Sequence, residues 1–324
     1  MHLSTSLSHL GKCKKELIMA AILLTGATGW LGQETVDLIS ENPYLVAGAE
    51  LVLFASRNVN IELVGKSFEV KSLDSLVDYQ AGEVAGVVHL AFLTRDKVKK
   101  MSTKEYIYSN HQISSQVSNL IRKTKPKWVV TVSSGAIYDS EGNLEDDLNS
   151  NPYGYCKKVE ETLLREACEE VSSNLVVGRL WGAMGRNMPL NRNYAVSDFI
   201  QSALINSEIN INSGTIVERR YVNAAEFMEL LIKIATSGTS KTLDSGGPLI
   251  EIGELSKLIA ERVKGVTIRR STSNLSREDF YFPKQSEYEE LSEIFKVNLS
   301  SIEDLVEITI KNHQKLLELK AQVP

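Results

Sequence analysis

A tyrosine, a lysine and a serine stand where they could act on one oxygen atom. The segment "NPYGYCKKVEETLLREACEEV" (151–171) reads as a helix, with Asn151 as its N-cap and Pro152 at its first position. Tyr153 and Lys157 are four residues apart and share one face of it. Nineteen residues before Tyr153, the run "KWVVTVSS" (127–134) ends with Ser133 and Ser134. A phenol ordinarily titrates near pH ~10. A neighbouring ammonium favours the phenolate, so such a tyrosine can exchange a proton with an alcohol or ketone near neutral pH. The serine hydroxyl would orient the same oxygen. A Tyr-x-x-x-Lys pair also occurs by chance on helix surfaces, so its meaning depends on what positions it.

The surrounding elements are those of a parallel sheet. "AAILL" (20–24), "ELVLFAS" (50–56), "AGVVHLAF" (85–92), the run 127–134 and "NLVVGRLW" (174–181) read as buried strands. "LGQETVDLIS" (31–40), "TKEYIYSNHQISSQVSNLIRK" (103–123) and 151–171 are helices between them. Strand and helix in alternation predict an α/β fold, a Rossmann-type doubly wound parallel sheet, with ligands at the C-terminal ends of its strands. After residue 181 the pattern loosens into the loop "GAMGRNMPLNRN" (182–193). Helices over 197–204 and 224–236, a strand over 209–211, the helix "EIGELSKLIAERVKG", the strand "VTIRR" and a capped C-terminal amphipathic helix follow. The expected organisation is an extension over 1–18, a dinucleotide-binding Rossmann domain over 19–181, and a smaller α/β substrate-binding region over 182–324, from which a strand or helix can return to the main sheet.

The first strand runs into "GATGWLG" (26–32). Gly26 permits a tight turn, Gly29 lets the backbone approach a pyrophosphate, and Gly32 lets the helix pack on the strand. The helix start offers free N–H groups and a partial positive charge to phosphates. The spacing alone fits a plain strand-to-helix turn equally well. At the end of the second strand, "FASRN" has Ser56 and Arg57 and no acid until Glu62. A carboxylate there would bind the ribose hydroxyls of NAD, whereas a guanidinium suits the 2′-phosphate of NADP. The alternative for Arg57 is a solvated loop side chain.

Composition narrows the classes. The chain has 324 residues, a hydrophobic fraction of 43% and a net charge of −5, which argues against broad binding to nucleic acid. Its cysteines, Cys13, Cys156 and Cys168, form no CxxC pair, so no zinc site or disulfide framework is expected and a reducing cytoplasm is the natural location. No His/Cys/Asp cluster has metal-ligand spacing. No stretch of apolar residues is long enough to span a membrane. Residues 1–18 lack the order of a signal peptide, and Met19 is the more natural beginning.

These motifs resemble the extended short-chain dehydrogenase/reductases of the NAD-dependent epimerase/dehydratase group, from about residue 20 to the C-terminus. "TGATGWLG" is similar to the family's cofactor loop, implicating Gly26, Thr28, Gly29, Trp30, Leu31 and Gly32. "VVHLAF" is similar to the strand that passes the cofactor, implicating Leu90 and Ala91. "SNHQISSQVSNLI" resembles the helix with the family's structural asparagine, here Asn110. "SSGAIY" matches the serine motif at Ser134, and "NPYGYCKKVEE" the catalytic helix. In the family, Tyr153 and Lys157 would also contact the cofactor, the lysine through the nicotinamide ribose. "ERRYVNAAEF" resembles the segment in which Arg219 would meet a substrate phosphate. The family often forms homodimers through the two long helices, here 103–123 and 153–171.

Departures from the family's pattern refine the expectation. Dehydratases of sugar nucleotides carry an Asp-Glu pair where this chain has Gly135-Ala136, which argues against dehydration. Many sugar-nucleotide members have an asparagine where "RLWGAMG" has Gly182. The missing acid at the second strand favours NADP over NAD. The resemblance thus implies an NADP-dependent oxidoreductase that reduces a keto group on a sugar or sugar nucleotide. An epimerase using the same tyrosine and lysine is the alternative, and a non-catalytic dinucleotide sensor is a third reading that retention of Tyr153 and Lys157 disfavours. His89 reads as a satisfied core residue rather than a base. Trp30 reads as a shield for the pyrophosphate or a packing residue. Cys156 reads as space-filling, or as open to modification if exposed.

Overall fold

The computed structural model describes residues 20–63, 65–79, 82–139, 142–144, 147–191, 193–272 and 279–322. The extension expected over 1–18 lies outside them. The strands are β1 (Ala21–Thr25), β2 (Glu50–Ala55), β3 (Val59–Leu63), β4 (Lys66–Ser72), β5 (Val84–His89), β6 (Trp128–Ser134), β7 (Asn174–Leu180), β8 (Ala183–Met184), β9 (Glu208–Ile211), β10 (Val217–Arg220), β11 (Val222–Asn223), β12 (Lys241–Asp244), β13 (Leu249–Glu251), β14 (Thr267–Arg270) and β15 (Asp279–Tyr281). The helices are α1 (Trp30–Glu41), α2 (Thr103–Thr124), α3 (Pro152–Val171), α4 (Ala195–Asn206), α5 (Ala224–Thr236), α6 (Ile252–Arg262), α7 (Tyr288–Ile294) and α8 (Ile302–Ala321).

The main sheet has eight strands in the order β12-β7-β6-β5-β1-β2-β4-β3. All its pairings are parallel except that of β3 with β4. This is the Rossmann-type doubly wound sheet. From β1 the chain builds outward through β2 and β4, then returns to the other side of β1 through β5. The strand order therefore reverses between β1 and β5, and a crevice opens at their C-terminal ends.

Alternate residues of the central strands feed two cores. Ile22, Leu24, Val88, Val130 and Val176 pack under α1 and α5 with Val36, Phe227 and Leu231. Leu23, Val87, Val129 and Val177 pack under α2 and α3 with Val117, Ile121 and Leu164. Burial on both faces is why these strands read as continuous apolar runs. Beyond β7 a third core joins α4, α6 and α8 through Phe199, Ile200, Leu255, Val306 and Ile310. Small sheets attach there: β13-β10-β15, β11-β8 and β14-β9. The chain crosses between the regions more than once, since α5 and β12 lie against the main sheet while α4, α6 and α8 do not.

Candidate active site

At the crevice, Gly26 turns the chain with φ 80°, a left-handed conformation that glycine adopts without strain. A β-carbon there would stand 2.6 Å from both Ala91 N and Leu90 C, so the segment leaving β5 passes directly over the turn. Leu90 N donates to the Thr25 carbonyl at 3.0 Å, and Ala91 N to its hydroxyl at 3.3 Å. Gly29 is the N-cap of α1 and supplies no side-chain cap. A β-carbon on Gly29 would meet only Gly26 O, at 3.2 Å, leaving the space before the helix start open. An uncapped helix start facing open space fits a pyrophosphate. Thr28 is exposed, Trp30 and Leu31 are half-buried, and Gly32 is buried against the strand. Trp30 Nε1 donates to Glu34 Oε1 at 3.2 Å, and its ring meets Tyr194 edge-on at 6.3 Å. Trp30 thus packs toward the loop before α4. Ser56 and Arg57 are exposed just beyond β2.

The reacting end is assembled around the turn after β6. Ser134 is 7% exposed, and its hydroxyl accepts from Ala136 N at 3.1 Å. Asn151 caps α3 by accepting from Gly154 N at 2.9 Å, while its amide donates to Ala136 O at 2.8 Å. The helix start is thereby tied to the Ser134 turn. A β-carbon on Gly154 would collide with Ala136 O, so glycine is required for this approach. Tyr153 then lies half-buried beside Ser134. Phe92 packs edge-on against the Tyr153 ring, centroids 5.9 Å apart. Burial pushes the Tyr153 phenol above its ordinary range, opposed by hydrogen bonding with the Ser134 hydroxyl, raised further by the Glu160 carboxylate and lowered by the charge of Arg95.

Lys157 is buried, and Nζ donates to Val132 O and Glu160 Oε2, both at 2.8 Å. The ammonium also sits 3.8 Å from the centroid of the Phe92 ring. The structure therefore brings Ser134, Tyr153 and Lys157 together beside the glycine turn. Asn110 is buried, but it faces the backbone of the loop leaving β5: its Oδ1 accepts from Leu93 N at 2.8 Å. Arg219 stands further out. It donates to Asp279 Oδ2 at 2.7 Å and to the Asp279 and Glu218 carbonyls, both at 2.8 Å. A phosphate there would have to compete with Asp279.

Sequence reasoning missed four side chains at this site. Tyr281, on β15, brings a second phenol to Ser134, and its ring packs at a tilt against Trp181 with centroids 4.8 Å apart. Trp181 in turn stacks on Tyr138 at 5.7 Å and donates from Nε1 to Asp244 Oδ1 at 2.7 Å. Phe92 packs against both the Tyr153 ring and the Lys157 ammonium. Glu160 binds that ammonium from one turn along α3; the only sequence signal for it is an acid at i+3 from the lysine. His89 is wholly buried between Thr25 and Glu160, and Cys156 is buried with its thiol pushed up to about 11 by that burial. Among the described residues no cluster of His, Cys, Asp or Glu is placed to hold a metal ion, and no helix is long and apolar enough to cross a membrane.

Comparison with known proteins agrees with this architecture. The chain is 22% identical to UDP-glucuronic acid decarboxylase 1 of Danio rerio over 257 residues, 74% of this chain and 61% of that protein's length. It therefore spans about three-fifths of that curated relative. Its fold is similar to that of UDP-N-acetylglucosamine 4-epimerase from Methanobrevibacter ruminantium M1, solved with UDP-N-acetylmuramic acid (TM-score 0.73, 18% identity, 92% of this chain and 99% of that one). It is also similar to MoeE5, solved with UDP-glucose and NAD (TM-score 0.70, 19% identity, 92% of this chain and 100% of that one). The model of the NAD dependent epimerase/dehydratase family matches residues 22–245, from the first strand through the edge strand β12. With the glycine turn, the strand reversal and the serine–tyrosine–lysine end all inside that span, the chain belongs to the NAD dependent epimerase/dehydratase family.

Proposed function

We propose that this chain reduces a keto group on a sugar or sugar nucleotide, with Tyr153 as proton donor, Ser134 orienting the substrate oxygen, and Lys157 supporting the pair. The observation that carries the reading is the convergence of Ser134, Tyr153 and Lys157 at the C-terminal end of β6, one strand from the crevice beside Gly26. The Tyr153 phenol, raised by burial, holds its proton until a carbonyl oxygen takes it. When bound, a nicotinamide dinucleotide supplies the hydride. Gly26, Thr28, Gly29, Trp30, Leu31 and Gly32 would hold its pyrophosphate, with Leu90 and Ala91 alongside. Ser56 and Arg57 would meet the adenosine ribose. The preference for NADP rests on Arg57, exposed just beyond β2; the MoeE5 structure, which carries NAD, supports the wider class.

The substrate class draws support from the nucleotide sugars of the similar proteins. Arg219 is our candidate for a substrate phosphate, by exchange with Asp279. We assign substrate selection to the region over 182–324, pairing of two copies to α2 and α3, and location to the reducing cytoplasm.

The second reading is an epimerase, in which the same tyrosine takes a proton and returns it. The similar 4-epimerase favours it. One experiment separates the two: incubation with NADPH and a UDP-4-keto-hexose, and separately with UDP-glucose. A reductase oxidises NADPH in proportion to keto sugar consumed. An epimerase converts UDP-glucose to its 4-epimer with no net change in the cofactor. Neither reaction, across a panel of nucleotide sugars, would overturn both.

A further inference from the structure

Glu160 lies one helical turn beyond Lys157 and is 2% exposed. An acid on a helix usually faces water, and burying a carboxylate is costly unless it is paired. Here every neighbour is a donor or a cation. Lys157 Nζ donates to Oε2 at 2.8 Å. The Thr131 hydroxyl lies 3.2 Å from Oε1 and shares its one proton with the His89 carbonyl, 3.1 Å away. His89 Nε2 also stands 3.2 Å from Oε1, off the line of a hydrogen bond. The Thr25 hydroxyl accepts from Leu90 N and Ala91 N, both at 3.3 Å, and so gives its own proton to His89 Nδ1, 2.7 Å away. The imidazole proton is then on Nε2, turned toward Glu160. This order of donors assigns Glu160 as a carboxylate. It also links the strand that enters the glycine turn to the helix that carries Tyr153.

Among the described residues Lys157 has no other anion. Its remaining partners are the Val132 carbonyl and the face of Phe92. We propose that Glu160 is a positioning residue: it anchors the Lys157 side chain against Phe92 and, with its own charge, helps to keep the proton on Tyr153. The proposal deepens the reading of Tyr153 as proton donor and rests on it.

The groups facing Glu160 are few. On α3 they are Lys157, Tyr153 and Cys156, and from β5 His89. From β6 they are the Thr131 hydroxyl and the Val132 carbonyl beside Lys157. Tyr106 of α2 faces Tyr153 and Cys156 rather than Glu160. Burial works to raise the Glu160 carboxyl, but Lys157 and His89 outweigh it and hold it below its ordinary range. Removing the Glu160 charge acts on Tyr153, whose proton that carboxylate helps to hold. Without that carboxylate, Tyr153 gives up its proton at lower pH.

The test uses Glu160→Gln, Lys157→Met and the double variant in the full chain. The first readout is the pH dependence of NADPH oxidation with a UDP-4-keto-hexose. In Glu160→Gln the alkaline fall in kcat should move to lower pH by about one unit or more; an unmoved limb overturns the proposal. The second readout is urea unfolding, which needs no substrate. Each single variant strands a buried charge, so the double variant should be more stable than either. Additive losses overturn the proposal on their own. If the wild type fails to turn over the probe, the reading of the reaction fails, and the unfolding cycle still decides whether Glu160 holds Lys157.

Discussion

The indole of Trp181 lies so close to Gly135 that a β-carbon on Gly135 would fall inside the ring's van der Waals envelope. The position that carries an acid in dehydrating members is therefore filled, in this chain, by an aromatic side chain reaching across from the end of β7. Tyr138 and Tyr281 hold that indole from two sides.

Gly135→Ala should force Trp181 out of place at a cost of about 1–3 kcal/mol. The same substitution should cost little in a Trp181→Ala background, because the obstructing ring is gone. Thermal unfolding of the four chains checks this. An equal penalty in both backgrounds would mean that Trp181 does not occupy the space in solution.

Acid should weaken the fold through His313. Its wholly buried ring joins α8 to α4: Nε2 lies 2.9 Å from the Ser197 hydroxyl and Nδ1 3.1 Å from the Thr309 carbonyl. Burial pushes its pKa down to about 4, against a small opposing effect of the Thr309 carbonyl. An unfolded histidine takes its proton near pH ~6.5. Between these values the unfolded chain binds more protons. This contribution is therefore complete above about pH 6.5, declines as pH falls through the window, and levels off below about pH 4. From pH 7 to 5 the loss is about 2 kcal/mol. His313→Gln should remove that part of the slope in urea titrations at the two pH values. Parallel slopes in both chains would show that the ring does not resist protonation.

The cofactor preference is read at Arg57. A charge-assisted hydrogen bond contributes about 1.5–3 kcal/mol before solvent screening, so NADP should bind about ten- to a hundredfold more tightly than NAD. Calorimetric titration of both cofactors into the wild type and Arg57→Ala checks it. Equal affinities in the wild type, or a ratio unchanged by the substitution, would make Arg57 a solvated loop arginine.

Much of this arrangement was legible in the sequence because local rules and the fold agree. Asn151 and Pro152 start α3 as capping chemistry requires. The apolar runs of β1 and β6 are wholly buried, and the helix over 224–236 is α5. The β3–β4 hairpin was missed because its edge strand β3 alternates polar residues such as Asn60 and Glu62 toward solvent, over too few residues to stand out from a loop. β15 is three residues long and exists through its pairing with β10, so Tyr281 carried no local signal. Glu160 carries no local signal beyond an acid on a helix; its burial depends on the contacts with His89 of β5 and Thr131 of β6. The Arg219–Asp279 pair likewise joins residues sixty apart.

The central claim is that Tyr153 gives the proton in a hydride-transfer reaction on a sugar-linked carbonyl. The direct measurement is kcat for NADPH oxidation with a UDP-4-keto-hexose in the wild type and Tyr153→Phe, alongside calorimetric titration of NADPH into both. Loss of general acid catalysis should lower kcat by about 10²–10⁴-fold, with cofactor affinity largely unchanged because the glycine turn and Arg57 are intact. A Tyr153→Phe chain that turns over at close to the wild-type rate would contradict the account.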